Sequence, residues 1–132
     1  MLTKAFAAIT LLVIAQPSHA LDLRCNLISD PGEADRMAPV SRFVIDEKAQ
    51  EVHMYLPGTD QPHWSFTNDM IGTMFDPKGN VFVIRSDNTG IFGAGLRYGF
   101  PHSFYLNPKT SVLSWSHIWN DNITRMQWRC RR

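Results

Sequence analysis

The sequence predicts an all-β domain, a single antiparallel meander of about 8–10 short strands. Apolar and polar residues alternate with period two between the turns, most clearly at 111–119 (SVLSWSHIW). Short polar segments containing Pro, Gly, Asn or Asp separate the alternating segments. After residue 20, no segment sustains the i, i+3, i+4, i+7 apolar spacing of a helix. Together these three observations favour β structure throughout.

The first twenty residues predict a cleaved signal peptide rather than part of the fold. Lys4 precedes an apolar run at 5–15, and 18–20 (SHA) has the small residues that signal peptidase recognises. The run is shorter than the about 20 apolar residues that span a bilayer, which argues against a retained anchor helix. We therefore expect 21–132 to be a single β domain, periplasmic or secreted, with no stable membrane insertion after cleavage.

The first half of this domain alternates short strands with polar turns. Residues 21–27 (LDLRCNL) alternate apolar and polar side chains, as a strand with one buried face does. A polar loop at 28–39 follows, and the compact segment 47–50 (EKAQ) between two apolar runs predicts a hairpin. Pro57 and Gly58 predict a turn before the next strand. The strands predicted here are 21–27, 43–46, 52–56, 63–67 and 70–75.

The second half repeats this organisation. Residues 76–79 (DPKG) and 107–110 (NPKT) place proline where its fixed φ favours the second position of a turn. Residues 81–85 (VFVIR) form a nearly continuous apolar run, which predicts a strand buried on both faces. The strands predicted here are 81–85, 90–98, 104–106, 111–119 and 123–130.

The two cysteines predict a disulfide that joins the ends of the domain. Cys25 lies on the first predicted strand and Cys130 on the last, each among apolar neighbours on its own face. An exported protein meets oxidising conditions, and the C-x-x-C spacing of a redox pair is absent. A barrel places its first and last strands side by side, as this bridge requires. We therefore expect a barrel rather than a sandwich.

The glycine-rich segment 90–99 has two interpretations. A phosphate-binding loop would need G-x-x-x-x-G-K-[ST] or G-x-G-x-x-G, and neither motif is present. Glycine within a strand is more typical of a bulge or a sharp bend at a barrel corner. We expect a bend that leaves Arg97 and Tyr98 at the rim of the barrel.

The charge balance argues against nucleic acid as a partner. The sequence has 13 Lys and Arg against 12 Asp and Glu, and loss of the leader removes Lys4, which leaves 12 of each. A neutral chain offers no excess of cations to a phosphate backbone. Four arginines gather near the C-terminal end, and a solvated tail is the simpler interpretation of them. They are Arg125, Arg129, Arg131 and Arg132.

One of the four histidines after the leader stands out. His53 and His63 are expected to face solvent because they alternate with apolar neighbours. His117 shares its predicted strand face with Trp115 and Trp119, so it belongs either to the core or to a site. The chain has neither H-E-x-x-H nor a Cys/His cluster, so we expect no metal and no cofactor.

The aromatic residues carry the leading hypothesis on function. Trp115, His117 and Trp119 either fill the barrel or form the floor of a ligand cavity. We expect a non-enzymatic exported domain that binds a small apolar or aromatic ligand, or a protein partner. Arg97 and Tyr98 are expected at the rim of this site.

Two alternatives stay open. One is a small secreted hydrolase or metal-dependent enzyme in which His117 works with a carboxylate from another strand. The chain has no G-x-S-x-G elbow, and Ser114 and Ser116 project from the face opposite His117, so no catalytic residue is named. The other is a structural or inhibitory module that contacts a protein through an exposed apolar patch or a loop such as 28–39.

Overall fold

The computed structural model describes residues 20–29, 36–68 and 80–132. Strands and turns account for this part of the chain, and no helix in it is long and apolar enough to cross a membrane. Side chains alternate between a buried and an outward face along each strand. The nine strands of the described residues are β1 (Leu21–Leu27), β2 (Arg42–Asp46), β3 (Glu51–Tyr55), β4 (Trp64–Phe66), β5 (Val81–Ser86), β6 (Ile91–Arg97), β7 (Phe100–Asn107), β8 (Val112–Trp119) and β9 (Asn122–Arg131).

The strands form one antiparallel sheet that curves into a nearly closed barrel. Their order is β4-β3-β2-β1-β9-β8-β7-β6-β5, so the first and last strands of the chain pair at the centre of the sheet. Cys25 lies directly opposite Cys130 in the β1–β9 pair, and the two form a disulfide with a Cα–Cα distance of 4.1 Å. The predicted all-β meander, the barrel and the disulfide between the terminal strands are confirmed.

Two predicted strands differ from the structure by more than a shift of one residue at an end. β7 begins at Phe100, four residues before the predicted strand, and Pro101 is its second residue. Proline is tolerated near the start of a strand, where few ladder hydrogen bonds are lost. The prediction that β5 is buried on both faces is wrong, because Val83 is exposed on the outside of the barrel.

Three predicted elements fall wholly or partly outside the described residues. The leader lies outside them except for Ala20, and the loop at 28–39 is described at 28–29 and 36–39. The strand predicted at 70–75 lies outside them entirely. These expectations stay predictions.

The inner faces of the strands meet in an aromatic core around Trp115. Its ring stacks on Phe104 and on Phe82, with centroids 5.3 Å and 6.0 Å apart, and Phe66 lies 4.7 Å away. A second tryptophan, Trp128, donates its indole N–H to the carbonyl oxygen of Val40 at 3.0 Å. The middle of the barrel is therefore filled by rings, which is usual for a small barrel.

Two glycines of β6 make room for these rings. A Cβ on Gly93 would lie 2.2 Å from the ring of Phe104, and a Cβ on Gly95 would lie 1.9 Å from the carbonyl oxygen of Val81. Pairing of β6 with both neighbours continues without a break through the two glycines. The glycines are therefore required by the close approach of a ring and a strand rather than by a bulge, and the segment is a paired strand rather than an anion-binding loop.

Side chains seal the gap between β4 and β5, and we call this closure the seam. The amide of Asn68 accepts from the N–H of Phe82 at 2.9 Å and donates to its carbonyl oxygen at 2.7 Å. The amide of Gln50 makes the same two bonds to Ile84, at 2.7 Å and 3.0 Å. Each amide replaces one residue of a neighbouring strand because it offers the same donor and acceptor as a peptide group.

The seam continues beyond these two amides. The carboxylate of Glu47 accepts from the backbone N–H and the hydroxyl of Ser86, at 3.2 Å and 2.6 Å. Nε of Arg97 donates to the carbonyl oxygen of Ser65 on β4 at 3.3 Å. Every second residue of β5 from Phe82 onward thus has a side-chain partner, and its outer edge is closed to pairing with another strand.

Candidate functional site

The five predicted site residues lie on β6, on β8 and in the turn after β6. The turns at 98–99 and 120–121 form what we call the upper end of the barrel. Trp115 is separate from the others, because it is fully buried and donates its indole N–H to Nδ1 of His102 at 3.1 Å. The structure brings the other four toward the upper end: Arg97, Tyr98, His117 and Trp119.

Two histidines form the layer between the core and the mouth of the barrel. His102 lies directly opposite His117 on the neighbouring strand, and their rings stack with centroids 5.4 Å apart. His102 is buried, and because its Nδ1 accepts from Trp115, its neutral form carries the proton on Nε2. Among the described residues, no group of three or more His, Cys, Asp or Glu is placed to hold a metal ion. His117 is thus a packed neighbour of a second histidine that sequence reasoning did not single out.

Arg97 lies across the mouth of the barrel. Its Cζ is 4.9 Å from the ring centroid of Trp64 and 4.7 Å from that of Tyr98. The ion pairs found among the described residues do not include Arg97. The buried indole N–H of Trp64 has no hydrogen-bond partner among the residues that the structure describes. Aromatic rings and the Ser65 carbonyl oxygen, rather than a carboxylate, hold the guanidinium, so its charge is not neutralised by a salt bridge among these residues.

Trp119 and Phe100 form a stacked pair at the upper end. Their ring centroids are 4.1 Å apart and their planes differ by 23°. Trp119 is 55% exposed, and Tyr98 in the neighbouring turn is 54% exposed. Because stacking already fixes the indole, a partner that contacts it pays less side-chain entropy on binding.

Large apolar side chains surround this pair. Ile118 and Ile123 lie opposite each other in the β8–β9 pair, and Ile123 is 76% exposed. Consecutive residues of a strand face opposite sides, so Ile118 and Trp119 are exposed on opposite faces of β8 at the end of the hairpin. Grouped exposure of this kind is typical of interaction surfaces. We call this group the hairpin-tip surface, and its members are Leu96, Tyr98, Ile118, Trp119 and Ile123.

The strands that carry this surface hold no acidic residue. β5 to β9 contain five arginines and neither Asp nor Glu, whereas β1 to β4 contain three acidic residues. On that opposite side, Arg42 donates to both carboxylate oxygens of Asp22 at 2.9 Å, and this hydrogen bonding lowers the pKa of Asp22. The acidic residues of the β5–β9 half are confined to its turns, at Asp87 and Asp121, so the strands themselves offer only arginine as charged side chains there. The five arginines are Arg85, Arg97, Arg125, Arg129 and Arg131.

A second group of polar side chains lies on the outer face of β3 and β4. Nδ1 of His53 is 2.8 Å from the hydroxyl of Ser65, and its Nε2 is 3.1 Å from a carboxylate oxygen of Glu51. An ionised carboxylate only accepts hydrogen bonds, so Nε2 carries the proton and, in the neutral imidazole, Nδ1 accepts from the Ser65 hydroxyl. The residue types are those of nucleophile, base and orienting acid in serine hydrolases, but the ring nitrogens are exchanged, because the serine of that triad bonds to Nε2 and its acid to Nδ1.

Sequence reasoning assigned His53 to the solvent-facing surface and missed its two partners. Glu51 and His53 are two residues apart on one strand, so their common face can be read from the sequence. Ser65 lies opposite His53 only through the register of the β3–β4 pair. That register depends on the turn at 57–63, and the sequence does not specify it residue by residue.

Comparison with known proteins gives no match: no family model, curated protein or solved structure is similar to this chain.

Proposed function

We propose that the protein is an exported binding module, periplasmic or secreted, that docks a partner protein through the hairpin-tip surface. One observation carries the proposal. Five large side chains are exposed together at one end of the barrel, on β6, β8, β9 and the turn after β6, and the outward-facing Arg125 and the neighbouring Arg97 lie beside them. The Cys25–Cys130 disulfide is consistent with an extracytoplasmic location, where such bonds persist.

The packing of the barrel favours a protein partner over a small ligand in its interior. A ligand held beneath the tryptophans would need the space around Trp115, which the rings of Phe66, Phe82 and Phe104 occupy. A surface partner needs no such space. It can contact Trp119 and Tyr98, and tryptophan, tyrosine and arginine are the residues that most often dominate interface energies.

The charges indicate the chemistry of the partner. Arg125 lies two residues from Ile123 on the same outward face of β9, and Arg97 lies next to Tyr98. Both guanidinium groups border an apolar centre. A complementary partner therefore presents an apolar patch flanked by Asp or Glu, and salt should slow its association.

Site-specific photo-crosslinking in the organism that makes the protein tests this proposal. A photoreactive phenylalanine analogue replaces Trp119 or Ile123, and the same analogue replaces Lys48 in the β2–β3 turn as the control. We expect one heterologous adduct from positions 119 and 123 and none from position 48. An adduct of two copies of this chain, an adduct from position 48 alone, or no adduct would each contradict the proposal.

The captured partner then allows a quantitative test. Trp119→Ala is expected to weaken binding by about 30-fold, equivalent to the 2 kcal/mol typical of an interface hot spot. Ile123→Ser should also weaken binding. Val83→Ser, which changes an exposed apolar residue of β5 outside the hairpin-tip surface, should leave it unchanged.

A serine hydrolase is the second candidate function, and Ser65, His53 and Glu51 favour it over an enzyme built on His117. In this reaction the Ser65 hydroxyl oxygen attacks an ester carbonyl carbon and His53 Nδ1 takes the hydroxyl proton. The leaving alcohol receives that proton, and water then hydrolyses the acyl-serine. Glu51 holds the Nε2 proton and stabilises the imidazolium.

Labelling with a fluorophosphonate probe tests the hydrolase candidate. We expect stoichiometric labelling at Ser65 that is lost in Ser65→Ala and strongly reduced in His53→Gln. Ser103→Ala, at an exposed serine of β7, is the matched control and should label like the unmodified protein. Absence of labelling, or equal labelling of Ser65→Ala, would contradict the hydrolase candidate and would not affect the binding proposal.

A further inference from the structure

The lower end of the barrel, opposite the hairpin-tip surface, contains a cavity. It has a volume of about 180 Å³ and opens to solvent beside the β7–β8 turn. Ile91 and Leu106 line it, and these two residues pair at the far end of β6 and β7 from Leu96. The cavity is therefore a separate feature from the proposed partner surface.

The inner part of the cavity is apolar. Leu23, Leu106 and Cys130 are buried there, and Leu21 and Ile91 pack against the core around them. The cavity is open on one side, so an occupant is only partly enclosed. A ring or a short alkyl chain that lies on these side chains buries apolar surface, which favours such an occupant.

The mouth of the cavity is polar and basic. Arg131 and Arg132 border it, together with Ser111 and Asn107 of the β7–β8 turn. Ser111 has a left-handed backbone, and its carbonyl oxygen accepts from the N–H of Cys130 at 2.8 Å, which fixes the turn against β9. None of the described residues that line the cavity is acidic. The lining therefore includes two arginines and no acidic side chain, which favours an anionic group in the ligand.

We propose that this cavity binds a small amphipathic carboxylate. The ring or alkyl chain of the ligand lies against Leu23, Ile91 and Leu106, and its carboxylate lies at the mouth. Arg131 and Arg132 donate to the carboxylate oxygens, since a guanidinium fork matches carboxylate geometry. Two of the four arginines for which a solvated tail is the simpler sequence interpretation, Arg131 and Arg132, thus acquire a ligand-binding role.

Titration of the ¹⁵N-labelled, disulfide-bonded protein with sodium benzoate tests the proposal by NMR. The protein carries no C-terminal tag, because a tag would follow Arg132 at the mouth. We expect saturable shifts of the amide signals of Ile91, Leu106 and Ser111. Benzyl alcohol, which keeps the ring, and acetate, which keeps the charge, should each bind at least about fivefold more weakly than benzoate.

Two variants measure separately what the arginines and the apolar lining contribute to binding. Arg131→Gln with Arg132→Gln should weaken benzoate binding by about five- to tenfold and leave benzyl alcohol binding unchanged. Leu21→Phe, which places a larger side chain in the cavity, should abolish binding of both probes. Unchanged amide signals of the hairpin-tip surface show that this variant is folded.

Three outcomes would overturn the proposal. They are no saturable shift up to about 50 mM benzoate, shifts that map to the hairpin-tip surface, and equal affinity for benzoate and benzyl alcohol. None of them bears on the crosslinking experiment, because no residue of the hairpin-tip surface lines the cavity.

Discussion

A variant in which both Cys25 and Cys130 are replaced by alanine is expected to lose about 2–5 kcal/mol of unfolding free energy. The two cysteines are 105 residues apart, so their bond strongly restricts the unfolded chain. The chain-entropy model gives about 4.7 kcal/mol for a closed loop of about 100 residues, and measured effects are often smaller. For a domain of this size the melting temperature should fall by roughly 10–25 °C. Urea unfolding followed by tryptophan fluorescence measures the loss.

Two further measurements identify the origin of this loss. The unmodified protein in reductant should match the double variant, and the double variant should not respond to reductant. The denaturant slope should be steeper without the disulfide, because the unfolded chain then exposes more surface. If reductant leaves the unfolding free energy unchanged, the pairing of β1 with β9 holds the centre of the sheet together without help from the disulfide.

The order of the strands could be predicted because each local signal agreed with the others. Alternation gave the inner face of each strand, and proline and glycine gave most of the turns. The positions of Cys25 and Cys130 then indicated that the first and last strands are neighbours. The exposure of Val83 was missed because an apolar run is the same in sequence whether one or both faces are covered.

The candidate site could be predicted only in part. Alternation placed Trp115, His117 and Trp119 on one face of β8, as the structure does. Alternation does not show, however, whether a residue of that face lies in the core or at the end of the barrel. Trp115 is buried in the core and Trp119 lies at the end of the strand, four residues further on. The seam could not be predicted either. Gln50 and Asn68 are ordinary turn residues in the sequence, and their role depends on which strand edge the fold leaves open.

Removal of both seam amides, by Gln50→Met and Asn68→Leu, is expected to destabilise the protein by about 2–4 kcal/mol and to cause self-association. Each substitution leaves a backbone N–H and a C=O of β5 without a partner, and one unsatisfied buried group costs about 1–3 kcal/mol. The groups are only partly buried, so water recovers part of that cost. An unpaired strand edge is also a template for pairing with another copy.

Urea unfolding and sedimentation velocity at several concentrations measure the two effects. The matched control is Gln127→Met, since the amide of Gln127 donates to the Ser114 hydroxyl at 3.0 Å between two paired strands and borders no open edge. We expect this control to lose less than about 1 kcal/mol of unfolding free energy and to stay at the association state of the unmodified protein.

A third variant, Gln50→Glu, tests the donor and the acceptor separately, because its carboxylate still accepts from the Ile84 N–H but cannot donate to the Ile84 carbonyl. An intermediate loss for Gln50→Glu would show that donor and acceptor both contribute. A seam variant as stable and as soluble as the control would mean that the barrel stays closed without these amides.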